Sequence, residues 1–99
     1  LRLRYTSTAL DELEELLAYI AERSPQGARN VQRRIKTVID LIAEHPGMGQ
    51  LTRQPNLRRM VVLPYPYLVF YEVAAGEVII AAIRHGARDP STMPGGLEP

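Results

Sequence analysis

Residues 57–90 read LRRMVVLPYPYLVFYEVAAGEVIIAAIRHGARDP. Two stretches within it, YLVFYEV (67–73) and VIIAAIR (78–84), are rich in β-branched and aromatic residues. Only AAGE (74–77) separates them, and so short a link makes them an antiparallel hairpin. LRRMVVL (57–63) has the same character and meets the hairpin through a rigid PYP corner (64–66). The stretch therefore predicts three consecutive antiparallel strands. An all-apolar run such as VIIAAI does not suit a solvated edge; it belongs in mid-sheet or under a helical layer. Alternation puts Tyr67, Val69, Tyr71 and Val73 on one face and Leu68, Phe70 and Glu72 on the other. Both faces are apolar enough that the pattern leaves open which one is covered. Arg84 and His85 fall on opposite faces of a continuous strand.

Upstream, LRLRY (1–5) alternates apolar and basic residues, the mark of a short strand with one buried face. Thr8 and Asp11 form a capping-box-like pair that starts a helix from about Ala9 to Arg23. Its apolar stripe is Leu10, Leu13, Leu17 and Ile20, widened by Leu16 and Ala21. Ser24-Pro25 restarts the chain as a second helix, Pro25 to about Glu44, with Val31, Ile35, Val38, Ile39 and Ile42 on its apolar side. The short link predicts an antiparallel helical hairpin. HPGMG (45–49) ends that helix, and QLTRQPN (50–56) has no periodicity and reads as a loop. The predicted fold is α+β: β-α-α-β-β-β, a helical hairpin packed on a small antiparallel sheet. Residues 1–90 form one domain, and 91–99 an irregular C-terminal tail.

Composition narrows the chemistry. The 99 residues contain no Cys, which excludes disulfides and thiolate metal sites. No apolar run approaches the ~20 residues of a membrane span, and no secretory signal is visible, so a cytoplasmic setting is expected. Net charge is only +1, yet the bases are segregated, and all but one of the twelve are Arg. That suits bidentate contact with an acidic partner better than coating of DNA. The two histidines, His45 and His85, lack metal-ligand spacing, and no phosphate-loop or nucleophile-elbow motif occurs. Neither metal nor cofactor is expected.

What remains is a cluster of Arg58, Arg59, Tyr65, Tyr67, Tyr71, Arg84, His85 and Arg88. With His or Tyr moving protons and Arg stabilising charge, such a surface could cleave RNA. The plainer reading is that the rings fill the sheet and the arginines solvate its rim.

The combination of HPGMG (45–49), RRMV (58–61), YPYLVFY (65–71) and RHGARDP (84–90), in this order and with these helices, resembles the RelE/ParE toxin superfamily, its ParE branch most closely. The resemblance covers about residues 3–90. It implies the toxin of a type II toxin–antitoxin pair, held by a ParD-like antitoxin in a hetero-oligomeric complex. ParE-like toxins act on DNA gyrase by protein contact and so block replication; RelE-like relatives cut mRNA on the ribosome. The sheet here has no lysine, and no Tyr or His follows Arg88, so the nuclease complement is incomplete and no catalytic residue is assigned. Arg58, Arg59, Tyr65, Tyr67, Arg84, His85 and Arg88 are instead expected to contact antitoxin or target. Direct DNA binding is expected only through the antitoxin. The alternatives are a RelE-like endonuclease and a non-toxic member that still binds its antitoxin.

Overall fold

Thr6 ends the first strand and starts the first helix. The computed structural model describes residues 2–86. In chain order these form β1 (Arg2–Tyr5), α1 (Ser7–Arg23), α2 (Pro25–Glu44), a 3-10 turn (Pro46–Met48), β2 (Gln50–Leu51), β3 (Leu57–Val61), β4 (Tyr67–Ala74) and β5 (Glu77–His85). The sheet order is β1-β5-β4-β3-β2, and both helices pack on one of its faces. Arg88 and the tail at 91–99 lie outside the described residues.

The helices follow their caps. Thr6 Oγ1 accepts the Ala9 N–H at 3.0 Å, and Ser24 Oγ accepts the Gly27 N–H at 2.9 Å. The first cap corrects the Thr8–Asp11 expectation: Thr6 wins because its hydroxyl also donates to Ala81 O at 3.0 Å, tying the helix to the sheet. Ala9 is accordingly buried, while Leu10 is 50% exposed rather than part of the packed stripe. Leu13, Leu16, Leu17 and Ile20 are half-buried, and the predicted α2 stripe of Val31, Ile35, Val38, Ile39 and Ile42 is fully buried.

The meander appears as predicted. Ala75 (φ 52°) and Gly76 (φ 75°) form the two-residue turn between β4 and β5, the left-handed geometry that matches strand twist. Two features differ. The sheet is mixed, because β1 runs parallel to β5 (Leu3 opposite Val78, Tyr5 opposite Ile80). No tight turn joins β1 to β5, so nothing imposes antiparallel pairing. The segment expected as loop also contributes β2, which pairs Gln50 with Arg59 and Leu51 with Arg58. Two residues are too few to show a period.

The register between β4 and β5 shifts once. Phe70 faces Ala82, but Tyr71 faces Ile80, leaving Ala81 as an inserted residue in β5. Before the insertion Val78 and Ile80 look toward the helices; after it Ile83 does, and Ala82 joins Leu68 and Phe70 on the far face. This settles which face of the sheet is covered.

Tyr71 is the largest fully buried side chain. Its hydroxyl donates to Pro46 O at 2.7 Å and accepts the Gly49 N–H at 2.9 Å, anchoring the turn after α2 to mid-sheet. Tyr71→Phe would leave both backbone groups without their partner. A loss of about 1–3 kcal/mol in urea unfolding is expected. Gly49→Ala is expected to destabilise as well, since a Cβ there would collide with the Tyr71 ring and hydroxyl.

Candidate functional site

β4 and β5 carry most of the expected contact residues at one end, where Tyr67 pairs with His85 and Leu68 with Arg84. Strand alternation divides them between two faces, and the bulge sets which face each takes. Tyr65 and Tyr67 pack against the helix-side core. Their rings stack at 6.3 Å, and His85 meets Tyr67 edge-on at 5.5 Å. Burial, with Tyr19 and Tyr65 close by, holds the Tyr67 phenol above the ordinary tyrosine range. Tyr19, on α1, carries the Arg23 guanidinium 4.1 Å over its ring. This corner thus joins the end of α1 to the end of the sheet.

Arg58 is on the helix side too, since it pairs with Tyr71 across β3 and β4. Its guanidinium donates to Gly47 O (3.1 Å) and Gly49 O (2.7 Å). It therefore clamps the same turn that Tyr71 anchors.

Arg59 and Arg84 occupy the opposite face, beside Phe70 and Leu68. Arg59 donates to Gln50 Oε1 at 3.0 Å. Arg84 sits 5.9 Å from the Phe70 ring and donates to Glu12 Oε2 at 3.1 Å. The other oxygen of Glu12 accepts the Ile83 N–H at 3.1 Å. β1 stops opposite Ile80, so Glu12 serves an N–H on the edge of β5 that β1 has left. Nothing in the alternation of strands could have pointed to this residue; helical spacing placed it merely off the apolar stripe.

Arg59 and Arg84 lie on the face opposite the tyrosine rings, and Arg58, on the rings' own face, is held by Gly47 O and Gly49 O. Tyr71, one of the cluster's candidate proton carriers, has its hydroxyl buried and doubly engaged. His45 caps α2 through its backbone, its N–H bonding Leu41 O. Among the described residues, no three His, Asp or Glu side chains gather as a metal site requires, and no helix is long and apolar enough to cross a membrane.

On the far face Leu68, Phe70 and Ala82 form a small buried cluster with Leu57 packed against it, and Arg59 and Arg84 lie beside them. On the helix side, a cleft of about 240 Å³ opens between β1, α1 and α2, lined by Leu3, Tyr5, Leu13, Ile35 and Ile39 and rimmed by Gln32, Lys36 and Asp40. Tyr5 in this cleft is also held above the ordinary range, by burial and then by Asp40, against a smaller opposing effect of Lys36.

Three comparisons bear on the chain. Residues 3–90 match the family model described as ParE toxin of type II toxin-antitoxin system, parDE. Toxin RelE2 of Caulobacter vibrioides is 43% identical over 84 residues, covering 85% of this chain and 93% of the relative. Putative toxin Y4kP of Sinorhizobium fredii is 36% identical over 84 residues, covering 85% and 86%. Among solved structures, a chain of the chromosomal ParDE TA system from P. aeruginosa superposes with a TM-score of 0.75 at 19% identity, covering 86% of this chain and 95% of that one. That last likeness concerns the fold.

Two outcomes follow from the geometry. Glu12→Ala should cost about 1–3 kcal/mol of unfolding free energy by orphaning the Ile83 N–H, and Glu12→Gln clearly less, because an amide oxygen can still accept it. Raised phenol pKa values mean the fold favours neutral Tyr5 and Tyr67. Stability is therefore fully present below pH ~10 and falls as pH rises beyond it. Tyr67→Phe should flatten that fall in alkaline denaturation curves.

Proposed function

The chain belongs to the ParE toxin family of type II toxin–antitoxin systems, and from that premise we propose that it inhibits DNA gyrase by protein–protein contact. It acts in the bacterial cytoplasm, as one toxin domain over residues 1–90, and a ParD-like antitoxin neutralises it in a hetero-oligomeric complex. One observation carries the reading against nuclease chemistry. The sheet arginines are committed to structural partners, with Arg58 on two carbonyls and Arg84 on Glu12, and they are split between faces. A transition state needs preorganised charge and a proton-transfer group converging on one point. A protein-contact surface needs only complementary shape and charge.

The contact residues proposed are those of the rim: Arg59, Tyr65, Tyr67, Arg84 and His85, with Arg58 acting by holding the turn at Gly47–Gly49. Arg88 belongs to the same proposal on sequence grounds. The pairing of ParD with ParE in the name of the structural neighbour supports the antitoxin partner.

Unopposed expression tests this reading. Induction of the DNA-damage response and arrest of replication, with bulk translation continuing, is the expected result. New mRNA ends at codons in primer extension, without DNA damage, would replace it with the endonuclease reading.

A further inference from the structure

α2 packs on the sheet through Val31, Ile35, Val38, Ile39 and Ile42. The side of the helix turned away from them carries Gln26, Arg29, Asn30, Arg33 and Thr37, none of them apolar. Gln26, Arg29, Arg33 and Thr37 are exposed. The two arginines are joined through amides. Arg29 donates to Gln26 Oε1 at 2.8 Å, Gln26 Nε2 donates to Asn30 Oδ1 at 2.9 Å, and Arg33 donates to the same Asn30 oxygen at 3.3 Å. An amide oxygen orients a guanidinium without neutralising it. Arg4 meets Glu77, Lys36 meets Asp40 and Arg84 meets Glu12. Among the described residues, Arg29 and Arg33 meet amides in place of a carboxylate.

This arrangement works against the helix. Like charges four residues apart repel. No acid occurs between residues 23 and 39. α2 has neither an acid in its first turn nor a base in its last, so the helix dipole goes uncompensated at both ends. Local rules broken without a structural return are expected where a surface serves a ligand.

We propose that Arg29 and Arg33 hold the phosphate backbone of duplex DNA, each on one phosphate, with Gln26 and Asn30 fixing the two guanidinium forks. The polarity of the row selects this occupant over an acidic protein. Protein interfaces carry an apolar centre and keep charge at the rim. Here charge and amide stand at the centre and no apolar side chain is present. That is the make-up of a DNA contact, in which Arg, Asn, Gln and Thr bond phosphate oxygens. Two phosphates are too few to hold DNA alone at physiological salt, which agrees with a net charge of only +1. The family resemblance implies DNA binding through an antitoxin alone; this row adds a direct contact that needs a second anchor. On the gyrase reading the anchor is gyrase, which holds duplex DNA as its substrate. The proposal rests on that reading for the anchor alone.

A labelled DNA duplex, titrated with the full chain at several low salt concentrations and read by fluorescence anisotropy, tests the row without gyrase. Weak, salt-sensitive binding is expected. Arg29→Gln combined with Arg33→Gln should weaken it about tenfold or more and flatten the log–log salt slope by about 1.8, the share of two phosphates. The same double variant should hold or raise Tm, because it removes a repelling pair, so lost binding is separated from lost folding. Arg2→Gln combined with Arg4→Gln, an equal loss of charge on β1, should leave the slope as it was. An unchanged slope in the Arg29 and Arg33 variant would overturn the proposal, as would equal losses in the two variants. Tighter binding of an acidic peptide than of the duplex, lost in the Arg29 and Arg33 variant, would overturn it too and assign the row to a protein. A chain that binds the duplex through this row yet leaves gyrase unaffected keeps the row and loses the gyrase reading.

Discussion

The fold turns on how the open edge of β5 is closed. β1 pairs with β5 only as far as Ile80, where Ala81 bulges out. Beyond that point, among the described residues, the backbone of β5 has no strand neighbour on this side. α1 supplies the missing partners from its first turns. Thr6 donates its hydroxyl to the bulge carbonyl while capping the helix, and Glu12 accepts the Ile83 N–H. A buried N–H or C=O left without a partner is costly, so these contacts fix α1 on the sheet in one register. They also decide the site. The bulge turns Ile83 toward the helices, which sends Arg84 to the far face and leaves His85 beside Tyr67.

That division shapes what the surface can do. A nuclease would gather arginine and a proton carrier at one point. Here the helix-side corner holds rings, and the far face holds arginines beside Phe70. Arg84 meets a carboxylate from α1, and Arg58 spans two carbonyls of the turn after α2. Each arginine thus has a structural task that a substrate phosphate would have to displace.

Much of this was legible in the sequence. The α2 boundaries follow from Ser24-Pro25 and from HPGMG, and the hairpin from AAGE, because caps and turns are local chemistry. The opposition of Arg84 and His85 followed from period two alone. Other features depend on contacts distant in sequence. Three consecutive hydroxyl residues, Thr6, Ser7 and Thr8, could each cap α1; Ala81 chooses among them from 75 residues away. The bulge itself is silent, because VIIAAI is apolar in either phase. Glu12 looked like ordinary helix surface, and Tyr71 like a possible acid–base group, until the sheet placed one on an open edge and the other under the turn at Gly49. The parallel pairing of β1 was open for the same reason, since no turn constrains it.

The central claim is that this ParE-family chain works by contact with gyrase and without bond-breaking chemistry of its own. Purified toxin, added to purified gyrase and supercoiled plasmid, tests it most directly. The account predicts that linear, protein-linked DNA accumulates with toxin concentration and requires gyrase. Unchanged supercoiling and cleavage at high molar excess of toxin would contradict it.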